Sequence, residues 1–146
     1  MRAKQYLKQI KRMNAQISAD IDELGTLEAL ATKTTAVLGG ERVQSSGSQD
    51  RMADCVIKIT ELKKKIEQDI AELIDLKDSA RKLIIEECDA DCMSLLNKRY
   101  FQDKKWEEIA VEMNYTYKWV SGGLHQRALS QVQRGLDRKD REHGNS

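Results

Sequence analysis

Hydrophobic residues along the first two thirds of the chain follow the alternating three- and four-residue spacing of a helical seam. One run extends from Tyr6 to about Val37 and a second from about Gln49 to Glu87, with charged residues between the apolar positions. The seam residues are Ile10, Met13, Ile17, Ile21, Leu24, Leu27 and Ala31 in the first run, and Met52, Val56, Ile59, Leu62, Ile66, Ile70, Leu73, Leu76, Ala80 and Leu83 in the second. The pattern predicts two long helices.

The break between these runs indicates that the two helices fold back on each other. Residues 39–48, GGERVQSSGS, are rich in glycine and serine, and Ser48 is a good helix N-cap with Asp50 in the first turn. Two helices of similar length suit antiparallel packing. We therefore predict a long antiparallel helical hairpin, coiled-coil-like, over residues 1–87. Such a hairpin buries little apolar surface alone, so we expect self-association, most simply as a homodimer, or docking on another protein.

A different pattern occupies residues 99–120, RYFQDKKWEEIAVEMNYTYKWV. A short helix is predicted by the apolar stripe of Trp106, Ile109, Ala110 and Met113. Asn114 follows where a tight turn between two helices needs a positive φ, and Thr116 can cap the next helix. That helix has its own inner face at Val120, Leu124, Ala128 and Val132. The spacing predicts a helix-turn-helix in which the small Ala110 lets the two helices approach closely.

The segment at about 90–133 resembles region four of bacterial sigma factors. The residues that carry the resemblance are Arg99-Tyr100, Trp106-Glu107-Glu108-Ile109-Ala110, Thr116 and Arg127-Ala128-Leu129, in the order of that family. The resemblance implies a helix-turn-helix whose second helix docks in the major groove of double-stranded DNA. Tyr117, Lys118, Trp119, Ser121 and Gly122 stand where sigma factors carry Arg, Glu and Gln, so no sigma-type promoter sequence is implied.

Over its whole length the chain is similar to a family of small proteins from phages and prophages of Gram-positive bacteria, related to the ArpU-type late transcriptional regulators. Members pair a long helical N-terminal part with a sigma-like C-terminal domain, and the loop at 42–47 and the ending at 124–129 look like theirs. The resemblance implies a phage-type DNA-binding transcriptional regulator, with host RNA polymerase as a further candidate partner.

The complete fold is expected to be all-α, with the hairpin at 1–87, the helix-turn-helix at 88–136 and a frayed tail at 137–146. The tail alternates in charge and ends in Gly144-Asn145-Ser146, which favours fraying. The absence of proline and the scarcity of β-branched alternation favour helix throughout.

Charge is nearly balanced over the chain, at a net +1, but it is locally basic near the C-terminus. Between Tyr115 and Arg134 there are three cations and no carboxylate. Lysine and arginine would contact phosphates there, while Tyr117, Lys118, Ser121 and His125 are candidates for base edges. The candidate DNA-binding residues are Lys104, Lys105, Thr116, Tyr117, Lys118, Ser121, Gly122, His125 and Arg127. The alternative interpretation is a solvated charged face.

Several functional classes find no support in the sequence. The three cysteines form no CxxC pair and the two histidines lie far along the chain, so we expect no metal site. No glycine-rich phosphate loop or nucleophile elbow occurs, so we expect neither an enzyme nor a cofactor. No apolar run has the length of a membrane span and the N-terminus lacks the apolar core of a signal peptide. We therefore expect no membrane contact and a location in the cytoplasm of a bacterial host cell.

Two other functions remain open at this stage. A DNA-packaging adaptor, like a phage terminase small subunit, also joins a helix-turn-helix to helical oligomerisation elements; a ring of eight or more copies would indicate it, whereas a dimer suits a regulator. A protein-binding module could retain the fold without DNA binding, and steep weakening of DNA binding with salt would exclude it.

Overall fold

The structure, a computed structural model, describes residues 2–40 and 46–144. The described chain is all-helical and contains no strand, as the sequence predicted. The helices are α1 Ala3–Gly40, α2 Ser46–Glu87, α3 Ala90–Leu96, α4 Trp106–Met113 and α5 His125–Gly144. Two π-helical segments accompany them, Asn97–Phe101 after α3 and Trp119–Leu124 before α5. No helix in the described ranges is long and apolar enough to cross a membrane.

The ends of the two long helices extend beyond the predicted bounds. The helix α1 continues to Gly40 and α2 begins at Ser46, so Ser48 lies inside α2 and is not its N-cap. Glycine and serine reduce helix stability by only about 1 kcal/mol or less per residue, which a long helix tolerates. Residues 41–45 of the predicted loop lie outside the described residues.

The chain from residue 137 to residue 144, where the sequence predicted a frayed tail, is helical in the structure. The helix α5 continues to Gly144. The guanidinium of Arg138 pairs with Glu86 at 2.9 Å and with Glu87 at 2.8 Å, which fixes α5 against the end of α2. Within α5 the Gln133 amide donates to Asp137 at 3.0 Å. At least one of the charged residues whose alternation suggested fraying therefore forms ion pairs with another helix.

Two compact units make up the chain, one of Met1–Met13 with Leu73–Ser146 and a smaller one of Asn14–Glu72. This grouping differs from the predicted division after residue 87. The reason is that the first turns of α1 and the last turns of α2 share their buried residues with the C-terminal helices.

In the smaller unit α1 and α2 run antiparallel. Lys65 pairs with Asp20 at 2.6 Å, and the Cys55 thiol lies 3.7 Å from the Leu27 carbonyl oxygen. From the first of these contacts to the second, the residue number on α1 increases and the residue number on α2 decreases, as expected for antiparallel helices.

The seam of the smaller unit differs from the predicted one at three positions. Ile17 and Ile66 are buried, whereas Ile21 is 50% exposed, Val56 is 52% exposed and Ile70 is 38% exposed. Cys55, which is half-buried, takes the position predicted for Val56. A strict alternation of three- and four-residue steps that starts at Met52 places the next seam residue at Cys55. The seam of α2 therefore follows the regular coiled-coil spacing, even where this puts a cysteine in place of the neighbouring valine.

The larger unit is built around one buried cluster to which all five helices contribute, with Leu7, Leu83, Leu96, Ile109 and Val132 among its members. The amide of Ala3, at the start of α1, donates to the side chain of Gln133 on α5 at 2.8 Å. A Cβ atom added to Gly135 would lie 2.4 Å from Leu83 Cδ1. The glycine therefore allows α5 to approach α2 closely.

Candidate nucleic-acid interface

The turn after α4 has the geometry that the sequence predicted. Asn114 adopts the left-handed conformation at φ 58°. Its amide donates to the Val111 carbonyl at 3.3 Å, and the Tyr115 amide donates to the Ala110 carbonyl at 3.0 Å. Ala110 itself is buried, at 7% exposed. Asparagine is one of the few side chains that tolerates this backbone region, so the local sequence fixes where α4 ends.

The next helix is capped by Thr116, again as predicted. The Thr116 hydroxyl accepts a hydrogen bond from the Trp119 amide at 3.1 Å, and the Thr116 carbonyl accepts one from Val120 at 3.1 Å. Helical residues begin at Tyr117, and the helix continues through the π-helical segment into α5. We call residues 117–144 the second helix of this site.

The π-helical segment keeps a four-residue apolar repeat on one face. At 3.6 residues per turn, each four-residue step moves a side chain about 40° past a full turn, so three steps in an α-helix would move it about 120° around the axis. A π-helical turn is wider, with hydrogen bonds from residue i to i+5, and takes up part of this drift. The four residues of the repeat are all buried: Val120, Leu124, Ala128 and Val132.

The first turns of the second helix expose the candidate base-contacting residues. Tyr117 is 51% exposed and Lys118 is exposed. Ser121 is half-buried and its hydroxyl donates to the Tyr117 carbonyl at 2.7 Å. A Cβ atom added to half-buried Gly122 would meet no atom within 4 Å, so this side of the helix is open. The structure thus brings Tyr117, Lys118, Ser121 and Gly122 together on adjoining turns.

The two lysines before α4 differ in their surroundings. The ammonium group of Lys104 pairs with Glu112, and Lys98 lies 3.6 Å from the same carboxylate. The hydrogen bond from Lys104, followed by its charge and that of Lys98, lowers the pKa of Glu112. Lys105 is exposed and is the N-cap residue of α4. Of the two lysines, Lys105 is therefore the better placed to contact a phosphate.

Arg127 is exposed but already has an anionic partner. Its guanidinium lies 2.7 Å from the carboxylate of Asp89. Asp89 also accepts hydrogen bonds from the Cys92 amide at 3.0 Å and from the Gln131 amide at 2.9 Å. These contacts, with the hydrogen bond from Gln131 as the largest cause, lower the pKa of Asp89 to about 2. Arg127 therefore helps to hold the start of α3, which sequence reasoning did not anticipate.

His125 is the candidate whose predicted position the structure corrects. Only 6% of the residue is exposed, so it is not available to base edges. Its Nε2 shares a 2.8 Å hydrogen bond with the Tyr100 hydroxyl, and its ring meets the Trp106 ring edge-on at 4.8 Å. Because His125 adjoins Leu124 and precedes Ala128 by three residues, the buried stripe is wide enough to include it. That spacing is the sequence signal that could have indicated burial.

We expect His125 to make the stability of the protein depend on pH. Burial, followed by the charges of Lys4, Arg99 and Lys8, lowers the pKa of His125 from 6.5 to about 4. Between these values the unfolded chain binds a proton that the folded chain does not, so the free energy of unfolding falls as pH decreases from about 6.5 to 4. The decrease due to this group should reach about 2 to 3 kcal/mol.

Urea unfolding at several pH values, compared between the wild type and His125→Gln, measures this effect. The glutamine amide preserves a polar partner for Tyr100 but does not titrate. The unfolding free energies of the two proteins should converge as the pH falls towards 4. Parallel curves would contradict a neutral, buried imidazole.

The adjacent glycines of the second helix have different surroundings. A Cβ atom on Gly123 would lie 2.3 Å from the ring of Trp119, whereas Gly122 faces open space. The ring of Trp119 thus lies over Gly123, and the residue remains 42% exposed. The close approach at Gly123 is to a side chain of its own helix.

This difference predicts opposite effects for two alanine substitutions. Gly122→Ala should raise the free energy of unfolding by up to about 1 kcal/mol, because alanine favours helix and meets no neighbour. Gly123→Ala should displace the Trp119 ring, alter its fluorescence and leave the protein about 1 kcal/mol less stable than Gly122→Ala. Thermal unfolding monitored by fluorescence and circular dichroism measures both. Combining Gly123→Ala with Trp119→Ala should remove the clash; equal stability of the two single variants would contradict it.

A group of cations that the sequence analysis did not identify lies beside the second helix. Lys4, Lys8 and Lys11 of α1, together with Arg99, line a cavity of about 210 Å³ that also contains Ser121 and His125 in its wall. The lysines are spaced as one helical face, which is the available sequence signal. Nothing in the sequence indicates that this face of α1 lies beside Ser121 and His125, which are more than 100 positions away. The assignment of a ligand rests on the site's geometry alone, because no protein-family model, no curated protein and no solved structure matches the chain.

Proposed function

We propose that this protein is a phage- or prophage-type DNA-binding transcriptional regulator, acting in the bacterial cytoplasm through a sigma region four-like helix-turn-helix. The observation that carries the proposal is the exposure of Tyr117 and Lys118 on the first turn of a helix whose opposite face is packed against the core. The tight turn at Asn114 and the cap at Thr116 set where that helix begins. The buried repeat from Val120 to Val132 holds it to the core.

The chemistry of the exposed turn suits the major groove. The ammonium group of Lys118 can contact a phosphate or a guanine edge, and the Tyr117 hydroxyl can donate to or accept from a base. Free amides and the positive end of the helix dipole favour phosphate near the N-terminus. The absence of carboxylates between residues 115 and 134 avoids repulsion of the DNA backbone. Lys105, at the start of α4, would supply a second phosphate contact.

The long helices would serve assembly in this proposal. The antiparallel pair exposes large apolar side chains, at Ile21, Leu30, Val56 and Ile57. A homodimer that covers them would contain two copies of the second helix, one for each half-site of DNA. Light scattering should then give a mass about twice that of the 16.7 kDa chain. A monomer would contradict the dimer, and a ring of eight or more would favour a packaging adaptor. Host RNA polymerase is a further candidate partner of the long helices.

The test of DNA binding begins with capture of genomic fragments on the full-length protein, followed by sequencing. A recurring sequence should emerge, and a duplex carrying it should bind more tightly than a scrambled duplex. Affinity should fall steeply as salt increases, because phosphate contacts release counterions. Fragments without a shared sequence and affinity independent of salt would overturn the proposal.

A protein-binding module is a second candidate, favoured by the apolar surface around the turn. Val111 is 78% exposed, and three aromatic residues close to the turn are also exposed: Tyr115, Tyr117 and Trp119. Exposed aromatic side chains are common anchors in protein interfaces. The salt titration distinguishes the candidates, since a module of this kind should show no salt-dependent affinity for duplex DNA.

A further inference from the structure

The cavity beside the second helix collects positive charge in a partly enclosed space. Its cations come from α1, as Lys4, Lys8 and Lys11, and from the first π-helical segment, as Arg99. None of the residues that line it carries a carboxylate. Its volume of about 210 Å³ is several times the roughly 30 Å³ that a water molecule occupies in the liquid. The cavity therefore has room for a hydrated anion.

The four cations are not equally neutralised. Lys11 pairs with Asp103 at 3.0 Å. The Arg99 guanidinium lies 4.4 Å from the Trp106 ring centroid and donates to the Lys104 carbonyl at 3.1 Å, and neither of these partners carries a negative charge. Among the described residues, no ion pair joins Lys4 or Lys8 to a carboxylate. Two lysines and an arginine thus face the cavity without an anionic partner.

This arrangement is unfavourable in the absence of an anion. Lys4 and Lys8 are one turn apart on α1, and like charges at that spacing destabilise a helix. Both side chains are exposed, while the backbone at the start of α1 is held to α5 by the hydrogen bond between Ala3 and Gln133. Burial is the main cause of the lowered pKa of His125, and the charges of Lys4, Arg99 and Lys8 lower that pKa further, which is consistent with a positive potential at the cavity wall. A bound anion would relieve the repulsion.

The wall also contains neutral polar groups. The Ser121 hydroxyl lies on the second helix and donates to the Tyr117 carbonyl, and the Tyr100 hydroxyl lies on the first π-helical segment and is hydrogen-bonded to His125. Cationic side chains bind phosphate oxygens, and the Ser121 hydroxyl could join them by turning its proton from the Tyr117 carbonyl to the ligand. A carboxylate ligand would need fewer donors, whereas a phosphate group with several anionic oxygens can use three cations at once.

We propose that the cavity formed by Lys4, Lys8, Arg99 and Ser121 is a phosphate-binding site. The phosphate group has two possible sources, the backbone of a DNA duplex held by the second helix or a small phosphorylated molecule. The site stands on its own geometry and does not depend on DNA binding at Lys118.

The experiment uses the full chain labelled with ¹⁵N, the double variant Lys4→Gln/Lys8→Gln, and a control with the same reduction in charge, Lys58→Gln/Lys64→Gln. Lys58 and Lys64 are exposed on α2 and do not line the cavity. Glutamine is a good helix former, and circular dichroism should confirm that both variants fold. Inorganic phosphate is titrated at constant ionic strength against chloride, and a DNA duplex is titrated in a second arm. Amide shifts at Ser121 and Arg99 are followed in both.

Phosphate should cause saturable shifts at these amides in the wild type and in the control, with affinity about tenfold or more weaker in Lys4→Gln/Lys8→Gln. If that variant also binds the duplex more weakly and with a smaller salt dependence, the DNA backbone supplies the phosphate. If duplex affinity is unchanged, a small phosphorylated molecule is the source.

Shifts at the cavity caused by the duplex alone, and absent in the variant, would also support the site. The proposal is overturned if neither probe shifts the cavity amides, or if the two double variants respond alike. Loss of DNA binding in Lys118→Glu with phosphate binding retained would separate this site from the proposed function.

Discussion

Replacing Lys118 by glutamate should lower the affinity for the captured DNA sequence about tenfold, and adding Lys105→Glu should lower it about a hundredfold. The reason is that each charge reversal replaces a lysine that would contact a DNA phosphate with a carboxylate that the phosphate repels. The slope of log affinity against log salt should become shallower by about one for each lysine that no longer neutralises a phosphate. Fluorescence anisotropy with the captured duplex, at several salt concentrations, measures both quantities.

The control for this prediction is Lys58→Glu/Lys64→Glu, which changes the net charge equally on exposed positions of α2. That variant should retain nearly wild-type affinity. Arg127 is unsuitable for the same test, because its replacement by glutamate would place a second carboxylate beside Asp89 and weaken the start of α3. Unchanged affinity in Lys105→Glu/Lys118→Glu would place the DNA contacts elsewhere.

The turn of the candidate site could be predicted because its determinants are close together in sequence. Ala110, Asn114 and Thr116 act through backbone geometry and hydrogen bonds that span at most five residues. A positive φ, a hydroxyl cap and a small buried residue are each favoured by few residue types. Local chemistry therefore sufficed to place the end of one helix and the start of the next.

The features that differ from the sequence-based expectations depend on partners far away in the chain. His125 is buried because Tyr100 and Trp106 surround it, and Arg127 is occupied because Asp89 lies opposite. The helical end of the chain depends in the same way on the pairing of Arg138 with α2. A polar residue on a helix carries no local signal that distinguishes a buried partner from solvent.

The cavity and the two units illustrate the same limit at a larger scale. Lys4 and Lys8 are separated from Ser121 by more than 100 residues, and only packing of α1 with the C-terminal helices brings them together. The seam of α1 looked uniform in the sequence. Its first turns nevertheless belong with the C-terminal helices and the remainder with the middle of α2. Helical spacing predicts that a face is buried but not which helix covers it.

Replacing Ala110 by leucine should disrupt the candidate site more than any exposed substitution. Ala110 is nearly inaccessible, and its carbonyl accepts the hydrogen bond that closes the turn at Tyr115. A larger side chain would separate α4 from the second helix and destabilise the protein by about 1 to 3 kcal/mol, as expected for overpacking. Because the exposed residues of the second helix depend on this packing, DNA affinity should fall with stability. Thermal unfolding and anisotropy on the same samples measure the two effects.

The neighbouring residue provides the matched control. Val111 is 78% exposed, so Val111→Leu adds bulk to the same helix without affecting a buried contact. It should leave stability within about 0.5 kcal/mol of the wild type and leave DNA affinity unchanged. If Ala110→Leu lowered stability but bound DNA like the wild type at a temperature where it remained folded, then the angle between the two helices would not govern recognition. A fall in affinity with Ala110→Leu but not with Val111→Leu would show that the close approach of α4 positions Tyr117 and Lys118.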